Sequence, residues 1–233
     1  MRLAVLPRRD AEARGHLEEV GAHTRPTVLA RDRAIALDGA LGALLPGGAL
    51  VRGTVVRIAG GPAPCRNGGP APCRNGGTGA TSVAGTLAAA VTDVGEWAVA
   101  VDLDGSYGAL AAAEAGVELE RFAVVRRVPP ARWATVVAAL LEGVTLVVAD
   151  VPRGVGVGDA HRLTARARER DAVLVVHERA GASWPVAAAL TLRASGGAWD
   201  LTAGHLVARA VHVVVEGRGA AARPVAGELA RAV

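Results

Sequence analysis

The sequence predicts an α/β fold: a mainly parallel sheet with helices on both faces and an antiparallel meander at its C-terminal side. Three observations predict it. Near-continuous Val/Leu/Ala runs alternate with helix-period segments from residue 51 to residue 177, the pattern of strands buried on both faces beneath covering helices. A glycine-rich stretch joins the first of these strands to the first helix, the order that presents a helix N-terminus to phosphate groups. After Trp184 the helical period stops, and strand-like segments follow one another across Gly/Ser turns.

Residues 1–26 are charged and lack a convincing period, with at most a loose helix over 8–23, and 1–31 read as a poorly defined N-terminal segment. The core is expected over 32–216. Residues 32–45 (DRAIALDGALGALL) space their apolar side chains as a packed helix does, and Pro46-Gly47-Gly48 turns the chain into a strand over 51–59. A helix near 81–94, a buried strand over 96–103 and a helix over 106–115 follow. Then come a short strand at 121–125, a helix at 130–141 with Pro130 in its first turn, and a strand at 144–150. A helix at 159–170 and a strand at 172–177 complete the parallel part. The meander is expected as strands 188–194, 199–203 and 206–216, with turns at 195–197 and 203–204. Residues 217–233 read as a tail of loop and short helix.

A chain of 233 residues is long enough for one such domain. Half of it is apolar but only 3% is aromatic, so the core must be built from Ala, Val and Leu. The net charge is +4 and every basic side chain other than histidine is arginine. With abundant Ala, Gly and Val, that bias is what a GC-rich genome produces, and it does not by itself point to nucleic acid. No apolar run approaches the roughly 18–20 residues that span a bilayer, and the N-terminal apolar segment is too short for a secretory signal. A cytoplasmic protein without membrane contact is expected.

The octapeptide GGPAPCRN occurs at 60–67 and again at 68–75, and it contains both cysteines, Cys65 and Cys73. Two Cys eight residues apart, without a neighbouring His or Cys pair, do not make a zinc site. Residues 60–75 therefore read as a flexible tandem-repeat insert.

The glycine-rich stretch ends Gly76-Gly77-Thr78-Gly79-Ala80-Thr81-Ser82. A working phosphate loop, G-x-x-x-x-G-K-[ST], needs backbone N–H groups for the phosphates, a lysine for their charge and a hydroxyl for Mg²⁺. Here Ala80 stands at the lysine position and the chain contains no lysine. Gly76, Gly77, Gly79, Thr81 and Ser82 thus form a vestigial cofactor-binding loop, and Thr81 and Ser82 are expected to cap the following helix. Asp150 ends a buried strand at its carboxyl end, where ligands sit in open α/β sheets; Asp102 and Asp104 end another. The histidines His161, His177, His205 and His212 show no metal spacing. Arg162, Arg166 and Arg170 recur at i, i+4, i+8 on one helix face. With Arg153 they are the candidates for contact with a nucleic-acid backbone, and a solvated helix face is the plainer explanation. Trp97 and Trp133 fall inside core elements, whereas Trp184 and Trp199 lie near turns and suit a partner surface.

The order of these motifs resembles the RecA-like, phosphate-loop NTPase-type fold. LLPGGALVRGTVVRIAG resembles that family's approach to the phosphate loop, and WAVAVDLDGSYGALAAAEAGVELERFAVV its second strand and helix. The resemblance implies that Asp104 stands for the carboxylate that activates water, Asp150 for the Mg²⁺-side aspartate, and His177 for the nucleotide-sensing polar residue. Within the superfamily the chain looks most similar to the actinobacterial ImuA-like mutagenesis accessory proteins, through the LLPGG segment, the GATS-type loop and the short length. That similarity implies a role in the SOS response and translesion synthesis beside an error-prone polymerase and an inactive Y-family polymerase homologue. The expectation is therefore a pseudo-ATPase: no catalytic residues beyond vestigial Asp104 and Asp150, no cofactor beyond weak ATP or Mg²⁺ binding, no resident metal, and weak DNA binding at most. The alternatives are a DNA-stimulated ATPase that substitutes Arg66, Arg74 or Arg153 for the lysine, and a degenerate gene product. The docking surface is expected at the exposed edge of the meander (206–216) and in the tail, with Arg218, Arg223 and Arg231.

Overall fold

The computed structural model describes residues 33–60, 78–202 and 205–232. The segment 1–31, most of the repeat insert, Arg66, Arg74, Gly76 and Gly77 lie outside the described residues.

The chain enters through β1 (Ala34–Ala36), α1 (Gly39–Leu44) and β2 (Ala49–Val51). β1 pairs antiparallel with β2, Ile35 opposite Leu50. The single helix expected over 32–45 is thus a strand followed by a short helix. Gly39 takes φ +74, a left-handed conformation that interrupts a continuous helix. The strand expected over 51–59 likewise divides, because Arg52-Gly53 turns with Gly53 at φ +76. β3 (Val55–Gly60) starts after it.

From β3 onward the expected alternation holds: α2 (Ala80–Asp93), β4 (Ala98–Asp102), α3 (Ala109–Glu114), β5 (Phe122–Arg126), α4 (Pro130–Leu140), β6 (Leu146–Asp150), α5 (Val157–Glu169) and β7 (Val173–Glu178). Three strands close the sheet: β8 (Leu190–Thr202), β9 (His205–Gly217) and β10 (Val225–Ala232). The eight-stranded order is β10-β9-β8-β3-β7-β6-β4-β5. Its members from β8 to β5 run parallel, and β9 and β10 add antiparallel.

Alternate side chains of the central strands feed two cores. On one face Val56, Ile58, Ala100, Leu146, Val148 and Val175 pack beneath α1, α2 and α3 with Leu41, Val83, Leu87 and Val91. On the other, Val101, Val147, Ala149, Leu174 and Val176 pack beneath α4 and α5 with Trp133, Val137 and Leu163. The sheet is therefore covered on both sides, as its apolar strands require. Because the central strands run parallel, Gly60, Asp102, Asp150 and His177 all emerge at one end.

Four expectations are corrected here. The turn predicted at 195–197 is absent. Strand β8 runs through it, with register shifts against β9 between Gly196 and Trp199 and again between Asp200 and Leu201; glycines within a strand mark a bulge as readily as a turn. Residues 206–216 are not an exposed edge, since β9 lies between β8 and β10. The tail contributes β10, whose Gly227 backbone sits against Leu44 and whose Leu229 packs on the first core. The tryptophans also exchange roles. Trp97 precedes β4 and is 47% exposed, whereas Trp184 is 3% exposed and meets Trp133 edge-to-face at 6.4 Å. Among the described residues no helix is long and apolar enough to cross a membrane.

Candidate functional site

The end of β4 is organised by Asp102. Its buried carboxylate accepts the N–H groups of Gly105 (2.9 Å), Ser106 (3.0 Å) and Tyr107 (3.3 Å). Arg126, its register partner on β5, donates Nε to it at 3.1 Å and a second N–H to the Tyr107 carbonyl. Burial pushes the Asp102 carboxyl upward, but the Ser106 and Tyr107 N–H groups, Arg126 and Gly105 outweigh it and hold it below the usual carboxylate range. Asp102 therefore anchors a turn that carries Asp104, Ser106 and Tyr107.

Asp150 ends β6 with no exposed surface. It accepts the Leu103 N–H at 3.0 Å. His177, its register partner on β7, places Nδ1 3.0 Å from Oδ1. Arg179, two residues further on, grips both carboxylate oxygens, Nε to Oδ1 and Nη2 to Oδ2, each at 3.1 Å. The same guanidinium reaches Asp104 Oδ2 at 2.5 Å and the Ser106 hydroxyl. Burial opposes ionisation of Asp150; His177, the Leu103 N–H and Arg179 together prevail and hold its carboxyl below the ordinary range. Beside it the Tyr107 phenol is driven far upward, first by burial and then by the Asp150 charge.

The start of α2, where the glycine-rich stretch ends, has a different character. Gly79 occupies the position before α2 with φ +82 and has no side chain of its own with which to cap the helix. The expected caps, Thr81 and Ser82, are replaced by Thr78, whose Oγ1 accepts the Ala80 N–H at 3.3 Å. Thr81 and Ser82 instead line a cavity of about 250 Å³ with Tyr107, Arg209 and Val211. Ala80 is 3% exposed. The Val211 side chain from β9 lies over Gly79 so closely that a Cβ there would stand 2.5 Å from Val211 Cγ1.

The structure thus brings Asp102, Asp104, Asp150 and His177 together, and sets Gly79, Thr81 and Ser82 at the start of α2. It does not gather the arginine candidates into a free basic stripe. Arg162 pairs with Asp159, and Arg166 and Arg170 both pair with Glu142, at 2.5 and 2.6 Å. Arg153 lies against the Gly181 backbone. Arg179 is the residue that sequence reasoning missed. Its signal was the i, i+2 spacing from His177, which in an extended chain puts both side chains on one face.

The Mg²⁺ that the resemblance implies at Asp150 does not fit these residues. Both Asp150 oxygens already accept donors from Arg179, and one also accepts Leu103 N–H. Residues 66–186 match the family model described as the MT3502 N-terminal domain, just over half of the chain. No curated protein matches it. The chain belongs to the MT3502 N-terminal domain family. The matched stretch includes Asp102, Asp104, Asp150, His177 and Arg179, and stops before β8.

Proposed function

We propose that this member of the MT3502 N-terminal domain family is a non-catalytic RecA-like protein that works through protein–protein contact in error-prone, damage-tolerant DNA synthesis. The observation that carries the non-catalytic part is the start of α2. Ala80 supplies no cation, and Val211 packs over the glycine whose backbone would face a phosphate. Losing a charge-assisted phosphate contact costs roughly 1.5–3 kcal/mol in binding. The loss is larger for phosphoryl transfer, whose catalysis is mostly charge stabilisation. The RecA-like assignment is supported by a strand–glycine loop–α2 order leading into a covered parallel sheet, with carboxylates at the strand ends and an antiparallel C-terminal extension.

The polymerase partners rest on the resemblance of the LLPGG segment and the GATS-type loop. Among the described residues the sheet ends at β10 and at β5, so at the C-terminal side the strand open to addition of a partner strand is β10 rather than β9. Arginine contacts alone would make any DNA binding weak and steeply dependent on salt.

Two measurements test the reading. Purified protein is expected to hydrolyse ATP no faster than buffer, with or without single-stranded DNA. After DNA damage it is expected to co-purify with subunits of the error-prone polymerase. A DNA-stimulated turnover abolished by Asp150→Ala would establish the ATPase alternative instead, and absence of the polymerase subunits would remove the accessory role.

A further inference from the structure

The carboxylates of Asp102, Asp104 and Asp150 each place an oxygen within 4.8 Å of the others, a spacing at which one cation can touch all three. Asp102 and Asp150 are buried. The buried Tyr107 hydroxyl on the Asp102 turn has no hydrogen-bond partner among the described residues, and Nδ1 of His177 stands 3.0 Å from Asp150. Three carboxylates this close repel one another unless positive charge lies beside them. The chain provides that charge in Arg179, whose guanidinium is shared among both Asp150 oxygens, Asp104 and Ser106.

We infer that Arg179 is a built-in counter-cation that takes the place of a divalent ion, and that replacing it with a neutral residue converts the cluster into a binding site for a hard, oxygen-preferring ion such as Mg²⁺, Ca²⁺ or Mn²⁺. Three features carry this. A guanidinium is permanently charged and its planar fork matches a carboxylate edge. Arg179 reaches Asp104 as well as Asp150, so the two aspartates that would share an ion share an arginine. Asp102 is committed to three backbone N–H groups and Arg126; once Arg179 is neutral, Asp104 loses its ion pair and Asp150 keeps only the Leu103 N–H and the neighbouring His177. Oxygen-only donors select hard ions over zinc or copper.

The test is thermal melting of the full chain, wild type and Arg179→Gln, with and without each ion. The wild type is expected to show no shift up to millimolar Mg²⁺, Ca²⁺ or Mn²⁺. The variant is expected to melt lower in chelator and to recover by about 5 °C or more at an ion concentration a hundredfold above Kd. Arg179→Gln combined with Asp104→Asn is expected to lose that recovery. Mn²⁺ binding, read independently from water-proton relaxation, is expected to be at least tenfold tighter in the single variant than in the wild type. Equal Mn²⁺ binding by the two proteins overturns the inference. So does an Arg179→Gln protein that stays unfolded in saturating ion, because the ion is held to replace the guanidinium. None of these readouts involves nucleotide or polymerase, so failure here leaves the proposed function standing, and the converse also holds.

Discussion

Asp102→Ala is the sharpest structural perturbation. The wild-type carboxylate is buried and accepts four donors: three backbone N–H groups of the 105–107 turn and the Arg126 guanidinium. Truncation leaves them facing a void. A stranded neutral donor costs about 1–3 kcal/mol before water or rearrangement recovers part of it, and a stranded charge more; breaking a buried ion pair typically costs about 3–5 kcal/mol. The expected loss is therefore ~4 kcal/mol, or a fall of roughly 8–16 °C in Tm for a chain of this size. Asp102→Asn keeps the volume and one acceptor oxygen, so it should lose about half as much. The acid dependence has a definite sign. The folded carboxyl lies below its ordinary value, so its stabilisation is complete above the unfolded value near 4 and disappears as pH falls through the folded one. Asp150 acts in the same sense; Asp102→Asn should therefore make the loss of stability below about pH 4 shallower without abolishing it. Urea melts followed by far-ultraviolet circular dichroism at pH 7, 4 and 3 measure both effects. A loss under ~1 kcal/mol for Asp102→Ala, or an unchanged acid slope for Asp102→Asn, would refute the claim that this carboxylate organises the turn.

Three further outcomes follow from the packing. Gly79→Ala should cost about 2–4 kcal/mol, through the left-handed backbone and the Val211 contact together. In a Val211→Ala background about 1–2 kcal/mol of that should vanish, and a double-mutant cycle that finds no coupling contradicts the overlay of Val211 on Gly79. Joining Ala59 directly to Gly76, which removes both octapeptides, should change stability by only ~1 kcal/mol. A Cβ at Gly60 would lie 2.9 Å from Thr78 Cγ2, so the chain departs and returns at nearly one point; an insoluble or low-melting product would show that the insert is structural. Deleting residues 218–233 should cost more than ~3 kcal/mol and expose apolar surface to a hydrophobic dye, because the deletion strips β10 from β9 and uncovers Leu44; an unchanged melt would mean that β10 contributes nothing.

The alternating Val/Leu runs determined the parallel sheet from β3 to β7 and its covering helices, because a strand buried on both faces has to be apolar throughout. They also placed Asp150 and His177 at strand ends, since the first polar residue after such a run marks where the sheet reaches its rim. What the linear pattern lacked was partnership. Gly196-Gly197 carries the same local signal for a turn as for a bulge, and pairing with β9 made it the latter. Residues 217–233 have too little apolar bulk to announce a strand; β10 exists because β9 offers it a ladder of hydrogen bonds and Leu44 a surface. Trp97 and Trp184 exchanged their expected roles because burial depends on what covers a residue, and no periodicity encodes that. The carboxylate cluster is the same case at the functional end. Asp104, Asp150 and Arg179 are separated by up to 75 positions in sequence, and the crossovers of the sheet alone put one guanidinium between two carboxylates.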